Sequence, residues 1–109
     1  MDIKDTIREQ VTAHPVVLYM KGTAQFPQCG FSALAIQVLN ACGVENVHTV
    51  NVLADPAIRQ GIKEYANWPT IPQLYVNGEF VGGSDILREM YESGELQTLM
   101  ADKGVATAA

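Results

Sequence analysis

The sequence has 109 residues, a length that suits one domain and is too short for two. Hydrophobic residues make up 48% of it, enough for a core that needs neither disulfides nor a structural metal. The formal net charge of −5 argues against binding to nucleic acids and against docking on anionic membranes, since both need a basic surface. No apolar run reaches the length of a membrane span and the N-terminus has no signal-peptide core, so we expect a soluble, cytoplasmic protein.

The predicted elements alternate between helix and strand from the N-terminus. A first helix begins after the capping residue Asp2 and ends before Pro15, because the residue preceding a proline is pushed out of the helical region. The continuous apolar run at 16–20 predicts a strand that is buried on both faces. A loop at 21–28 then leads into a helix over 29–42.

Two local signals mark the second half of the chain. Asp55 followed by Pro56 is a strong helix start, and Asn77–Gly78 between two apolar runs predicts a hairpin with a type I′ turn. The elements predicted here are a strand at 47–53, a helix at 55–66, hairpin strands at 74–76 and 79–81, and helices at 84–93 and 95–102.

The order of the predicted elements indicates a fold class. The first two strands are joined by a helical crossover and should be parallel, while the hairpin adds two antiparallel strands. A four-stranded mixed sheet with helices on both faces is an α/β, thioredoxin-like fold. We expect one such domain over 1–109, with a disordered tail at about 104–109.

Cys29 lies where the loop at 21–28 gives way to the helix at 29–42. The free amides and partial positive charge of a helix N-terminus favour an anion, so a cysteine there is expected to be more acidic than a free one. Lys21, at the end of the preceding strand, could add a positive charge. The competing interpretation is a small core residue, but the flanking Pro-Gln and Gly predict an exposed loop and favour a reactive thiol.

Cys42 is not expected to form a disulfide with Cys29 inside one folded chain. If 29–42 is one helix, a rise of about 1.5 Å per residue separates the two by roughly 20 Å, whereas a disulfide needs Cα atoms within about 7 Å. Cys42 is therefore expected in the core near the helix end. Ser32 occupies the position at which a CxxC oxidoreductase keeps its resolving thiol, which leaves Cys29 without an internal partner.

Four segments occur in order at single-domain spacing: KGT at 21–23, CGFS at 29–32, WPTIPQL at 68–74 and GGSD at 82–85. Together they resemble the monothiol glutaredoxin family, over about residues 14–100. A lone CGFS tetrapeptide would be weak evidence. Four matched segments on an independently predicted topology are specific.

The resemblance implies a glutathione site. In the family the tripeptide lies along the segment before a cis-proline, which here is Pro72, and pairs with the backbone of the preceding residue as a short added strand. The residues that the resemblance assigns to glutathione are Lys21, Arg59, Ile71, Ser84 and Asp85.

Each end of the implied glutathione site has an alternative interpretation. Lys21 and Arg59 would contact the glycine carboxylate, although such residues are more often solvated surface charges. Ser84 and Asp85 would hold the γ-glutamyl end, its carboxylate by helix-start amides and its ammonium by the Asp85 side chain. Asp85 could instead serve only as a first-turn carboxylate. Because these residues together occupy the positions that the family resemblance implies, we favour the glutathione site over the alternatives.

The resemblance also implies an iron–sulfur function. A [2Fe–2S] cluster takes four ligands, commonly thiolates, and one chain supplies one competent thiolate, Cys29. Two chains and two glutathione molecules would therefore share the cluster in a homodimer with the metal at its interface. Because half of the ligands are diffusible tripeptides, the cluster should be labile, which suits a carrier that passes clusters to apo iron–sulfur proteins. The family's association with BolA-type proteins suggests a heterodimer as a second form.

Two other functions remain open at this point. Cys29 could be the catalytic residue of a glutathione-dependent thiol–disulfide oxidoreductase, with a second glutathione resolving the mixed disulfide. The family generally does this poorly, so we rank it second. The chain could also be a structural adaptor with an idle cysteine, which the matched glutathione-site residues argue against.

The sequence departs from the family pattern at three positions. Ala24 stands where many members have proline, and Phe26 is bulkier than the usual polar residue. Both alter the loop before Cys29 and could change cluster lifetime or dimer geometry. Ser84 stands where some members carry a second cysteine, which removes a possible regulatory disulfide.

Two aromatic residues lie beside the implied site in the sequence. Trp68 either plugs the structure before the Thr-Ile-Pro segment or borders the site, and we favour the structural role. Phe31, next to Cys29, is expected to shield whatever that sulfur binds.

Overall fold

The helices and strands follow the predicted order. A computed structural model describes residues 2–105 and 107, and no helix in this part of the chain is long and apolar enough to cross a membrane. The largest difference from prediction is the second strand, which is shorter at both ends than 47–53. The elements are α1 (Ile3–Ala13), β1 (Val16–Met20), α2 (Gly30–Ala41), β2 (His48–Asn51), α3 (Pro56–Ala66), β3 (Gln73–Val76), β4 (Glu79–Gly82), α4 (Ser84–Ser93) and α5 (Glu95–Asp102).

The four strands form one mixed sheet in the order β2-β1-β3-β4. β1 and β2 are parallel, with Val17 opposite His48, because α2 provides the crossover between them. β3 is antiparallel to both β1 and β4, and Tyr19 of β1 lies opposite Gln73 of β3. The carboxyl end of β1 therefore adjoins the amino end of β3.

The sheet separates two hydrophobic cores. Val17 and Tyr19 of β1 point into the core beneath α1 and α3, and the other three residues of the strand point into the core beneath α2, α4 and α5. All five are buried. Because side chains alternate across a strand, only a strand covered on both faces can be apolar at every position. The predicted thioredoxin-like fold, with helices on both faces of the sheet, is confirmed.

The helix start at 55–56 and the hairpin turn at 77–78 form as predicted. The Asp55 side chain accepts hydrogen bonds from two free N–H groups of α3, at 3.0 and 3.3 Å, and Pro56 is the first residue of that helix. Asn77 and Gly78 have positive φ angles of 50° and 82°, as a type I′ turn requires. This turn pairs β4 with β3 and leads the chain into α4.

The end of the chain differs from the predicted disordered tail at 104–109. Val105 is only 9% exposed and packs in the core beneath α2, α4 and α5. Thr107 forms an isolated β-bridge with Val44. Burial of the apolar Val105 side chain offsets the entropy lost by ordering the chain here, which the short run of mostly small residues at 104–109 did not reveal. For positions 106, 108 and 109 the prediction lies outside the described residues.

Candidate functional site

Cys29 is the N-cap residue of α2, directly after the loop that leaves β1. Its backbone is extended, and its carbonyl accepts the first helical hydrogen bond from the Ala33 N–H at 2.9 Å. The residue is half-buried, and its side chain makes no capping hydrogen bond. The sulfur therefore lies at the positive end of the α2 dipole and stays within reach of a ligand.

The surroundings of Cys29 favour its thiolate. The pKa of the thiol is lowered chiefly because the backbone N–H of Ser32 stabilises the negative sulfur. Partial burial opposes this effect, whereas the backbone N–H of Phe31, the positive charge of Lys21 and the Ser32 hydroxyl all lower the pKa further. Such surroundings are typical of an attacking or metal-binding sulfur.

The loop before Cys29 is held by hydrogen bonds at both of its ends. The Lys21 carbonyl accepts a hydrogen bond from the Gln28 N–H at 2.9 Å. The Gly22 N–H donates to the side-chain oxygen of Asn51, in β2, at 2.9 Å. β2 thus holds the start of the loop, and the Lys21 carbonyl holds its end, which keeps the Lys21 ammonium close enough to act on the sulfur.

Cys29 has no second thiol beside it, because position 32 is a serine and the other cysteine lies at the far end of α2. Ser32 is fully buried, and its hydroxyl oxygen accepts a hydrogen bond from the Lys21 N–H at 3.0 Å. Cys42 lies at the opposite end of α2, half-buried against the core, and burial raises the pKa of its thiol. Both cysteines are free, so the predicted separation of the two is confirmed.

A groove joins Cys29 to the segment that precedes β3. It consists of two adjoining cavities, of about 270 Å³ and about 160 Å³, that share three lining residues. It extends from two lysines, past the sulfur, to the first residues of α4. The first cavity is lined by Lys21, Cys29, Phe31, Lys63, Pro69, Thr70 and Ile71, and the second by Phe31, Thr70, Ile71, Pro72, Ser84 and Asp85.

The groove brings together five of the six residues that the sequence assigned to the site. The exception is Arg59, which is exposed and lines neither cavity. Lys63, one turn further along α3, takes that place. Positions i and i+4 share a helix face, so this spacing from Arg59 was the signal that could have identified Lys63. The five residues brought together are Lys21, Cys29, Ile71, Ser84 and Asp85.

The far end of the groove is the start of α4. Gly83 is the N-cap, and its backbone packs so closely that a Cβ atom there would lie 3.2 Å from the Pro72 carbonyl oxygen. Ser84 is buried and Asp85 is exposed. The Asp85 carboxylate lies in the first turn of α4, 3.7 Å from the Arg88 guanidinium one turn along, so it also has the placement of a helix-stabilising carboxylate.

The segment at 68–72 forms one wall of the groove. The Ile71–Pro72 peptide bond is cis, as the family resemblance implied, and Ile71 is 7% exposed. Trp68 lines neither cavity; its ring packs on Phe80 with 5.6 Å between centroids, and its indole N–H is buried without a partner in the described part of the chain. This placement favours the structural role for Trp68.

The two cysteines should separate in their rates of alkylation as pH rises. Cys29 should react with iodoacetamide at a lower pH than an ordinary thiol, because its pKa is lowered, whereas the raised pKa of Cys42 delays reaction to higher pH. Peptide mass spectrometry after timed alkylation between about pH 6 and pH 10 measures both profiles around the ordinary thiol pKa of about 8.5. In a Ser32→Ala variant the Cys29 profile should move only slightly upward, because the backbone N–H remains. Identical profiles for the two cysteines would contradict the assignment.

Comparison with known proteins identifies the family. The glutaredoxin family model matches residues 16–81. A monothiol glutaredoxin of Synechocystis, described as ycf64-like, is 59% identical over 99 residues, which cover 91% of this chain and 92% of the relative. Glutaredoxin 4 of Escherichia coli is 52% identical over 98 residues, which cover 90% of this chain and 84% of the relative. The solution structure of reduced poplar apo GrxS14 is 48% identical with a TM-score of 0.82, covering 94% of this chain and 97% of that one. The chain therefore belongs to the glutaredoxin family, among relatives named as monothiol glutaredoxins.

Proposed function

We propose that this protein binds a [2Fe–2S] cluster through Cys29 and glutathione and passes it to other proteins. The observation that carries the proposal is one sulfur, favoured as a thiolate, in a groove whose lining holds no second thiol. Among the described residues no three Cys, His, Asp or Glu side chains are grouped so that they could hold a metal ion. The remaining ligands of a cluster would have to be supplied by other molecules.

Glutathione fits the chemistry of the groove from end to end. The ammonium groups of Lys21 and Lys63 suit its glycine carboxylate, with Arg59 one turn away on α3. The backbone of Ile71 offers an N–H and a carbonyl to the peptide in the manner of an added strand. At the other end, Ser84 and the Asp85 carboxylate suit the γ-glutamyl group. The glutathione sulfur would then lie beside Cys29.

The ligand count of the cluster then implies a homodimer. Each chain contributes the Cys29 thiolate and one glutathione, so two chains complete the four ligands. Two large apolar side chains next to this site, Phe31 and Phe26, are 60% and 74% exposed, and burial between two chains would remove their surface from water. Because two of the four ligands belong to glutathione molecules that can diffuse away, the cluster is labile and can be passed to other proteins.

The partners of this function are apo iron–sulfur proteins, which receive the cluster, and a BolA-type protein, which could replace one subunit. We place the activity in the cytoplasm, where the glutathione pool keeps thiols reduced. The assignment of the partners and that of the cytoplasm follow from the family resemblance and from the proposed use of glutathione.

Reconstitution tests the proposal. Anaerobic incubation of the reduced protein with iron, sulfide and glutathione should give a brown dimer, measured by visible absorbance and size-exclusion chromatography. Omitting glutathione should abolish both properties, and 2-mercaptoethanol, which has a thiol but neither end group, should not restore them. A cluster formed equally well with mercaptoethanol would contradict the glutathione site, and a colourless monomer under all conditions would contradict the function.

The half-exposed, thiolate-favouring sulfur also supports a second candidate, removal of glutathione from mixed disulfides. In that reaction the Cys29 thiolate would attack the glutathione sulfur of the mixed disulfide and release the substrate as its thiol, and a second glutathione would then release the bound glutathione as glutathione disulfide. Turnover on a glutathionylated substrate should be near background if cluster transfer is the function. Brisk turnover together with failed reconstitution would favour the oxidoreductase.

A further inference from the structure

Gln73, the first residue of β3, is a polar side chain with no solvent exposure. A buried amide is costly unless its hydrogen bonds are made, and this one makes three. Its Nε2 donates to the carbonyl oxygens of Trp68 and Thr70, both at 3.1 Å. Its Oε1 accepts a hydrogen bond from the Tyr75 hydroxyl at 3.0 Å. The amide therefore links the sheet to the segment that forms the groove wall.

The Tyr75 hydroxyl fixes which way the Gln73 amide faces. Tyr75 is 1% exposed, and burial, followed by the influence of Tyr65, raises the pKa of its hydroxyl, so the group stays a neutral donor. The reverse orientation of the amide would set its oxygen against two carbonyl oxygens. Only the observed orientation satisfies all three contacts.

The groove wall has few other tethers of its own. Pro69 and Pro72 have no backbone N–H, and in the described part of the chain the N–H groups of Thr70 and Ile71 have no hydrogen-bond partner. Gln73 is the side chain that bonds to backbone carbonyls within this segment. By bonding two carbonyls that lie two residues apart, one amide ties the wall to the first residue of β3.

We infer that Gln73 is a positioning residue for the glutathione site. It lines neither cavity of the groove, so it acts through the segment that it holds, whose Ile71 lines both cavities. The Tyr75 hydroxyl contributes to this positioning, because its hydrogen bond orients the Gln73 amide. This inference rests on the proposed function, since the backbone it positions is the one assigned to glutathione.

Substitution Gln73→Glu tests the inference with almost no change of shape. At about pH 8 the carboxylate should face two carbonyl oxygens, repel them and displace the wall. The readout is the preference of Cys29 for glutathione over mercaptoethanol as its mixed-disulfide partner. It is measured by intact mass after equilibration with glutathione disulfide or hydroxyethyl disulfide and the matching thiol. In each exchange the Cys29 thiolate attacks the disulfide, one S–S bond forms, one breaks, and one thiolate leaves.

We expect Gln73→Glu to lower this preference about tenfold at pH 8, the effect of about one lost hydrogen bond. Burial and the two carbonyls should raise the pKa of the introduced carboxyl group well above its ordinary value of about 4.3. As the pH is lowered toward about 6, the protonated carboxyl group can donate one of the lost bonds, so the preference should partly recover. The wild-type ratio should stay flat, because changes in Cys29 ionisation affect both partners equally.

Two further variants complete the test. Gln97→Glu adds the same charge at an exposed position of α5 and should match the wild type at every pH. Tyr75→Phe keeps the ring packing and removes only the orienting hydroxyl, and should lower the preference about threefold, which keeps the inference testable if Gln73→Glu does not fold.

An unchanged preference for glutathione in Gln73→Glu would overturn the positioning role. A preference that falls at pH 8 and does not recover at lower pH would also overturn it, because Gln73 would then have only a structural role. If Gln73→Glu does not fold, an unchanged preference in Tyr75→Phe would do the same. A wild-type protein with no preference for glutathione would instead overturn the glutathione site of the proposed function, and the inference with it.

Discussion

Cys29→Ser should abolish cluster binding and leave the fold intact. The sulfur is half-buried at the start of α2, and its side chain makes no capping hydrogen bond, so a hydroxyl of similar shape removes no contact on which the helix depends. A serine hydroxyl is not a thiolate and does not bind iron under the same conditions. Reconstitution with iron, sulfide and glutathione should give a colourless monomer whose circular dichroism spectrum and urea midpoint match the wild type.

Cys42→Ser is the matched control for this experiment. Cys42 lies at the other end of α2, half-buried against the core, where burial raises the pKa of its thiol. Placing a hydroxyl there should cost about 1 kcal/mol of folding free energy while leaving the cluster yield unchanged. The opposite pattern, with the cluster lost in Cys42→Ser and kept in Cys29→Ser, would overturn the assignment of the metal-binding sulfur.

The fold could be predicted from the sequence because its signals act over a few residues. Asp55 followed by Pro56 strongly favours the start of a helix, and Asn77–Gly78 closes a hairpin because both residues tolerate positive φ angles. The unbroken apolar run of β1 indicated a strand covered on both faces. Once these elements were in order, the crossover between the first two strands determined that they are parallel.

The groove was less predictable because its wall and its charges come from separate parts of the chain. The family resemblance named Arg59, but the way α3 packs brings Lys63 to the groove. That packing depends on tertiary contacts: Ile58 and Ile62 are buried, and Gly61 lies so close to α1 that a Cβ atom there would be 3.1 Å from the Ile3 side chain. The i+4 spacing offered Lys63 as a second candidate on the same helix face, but no local pattern encodes the packing angle that chooses between the two.

Gln73 illustrates a second limit of sequence-based prediction. The motif that contains it was recognised, yet its burial and its role in holding the wall were not. Its partners are the Tyr75 hydroxyl and the carbonyls of Trp68 and Thr70, and the two carbonyls are backbone groups that every residue carries, so the side-chain pattern gives no sign of them. The predicted strand at 74–76 leaves Gln73 out, whereas the structure has it as the first residue of β3.

Gly22→Ala should be the most damaging substitution in the loop before Cys29. Gly22 has a φ of +92°, and a Cβ atom on it would lie 2.6 Å from both the Gln28 nitrogen and the Phe26 carbonyl oxygen. These are backbone atoms that cannot rotate away, so the loop must open. Opening it loosens the hydrogen bond between the Gln28 N–H and the Lys21 carbonyl and shifts the Lys21 ammonium relative to the sulfur.

We expect Gly22→Ala to lower the free energy of unfolding by about 3 kcal/mol, the sum of a left-handed backbone penalty and an overpacking cost. Urea denaturation measures this loss, and iodoacetamide alkylation should show the Cys29 profile moved to higher pH. Gly30→Ala is the matched control in the same loop–helix junction, because nothing lies within 4 Å of the added Cβ atom and Gly30 has no positive φ. It should be neutral or stabilising by a few tenths of a kcal/mol, since alanine restricts the unfolded chain. Equal stability of the two variants would mean that the loop closes around Cys29 without the tight crossing at Gly22, and the contribution of Lys21 to the lowered thiol pKa would then not depend on that crossing.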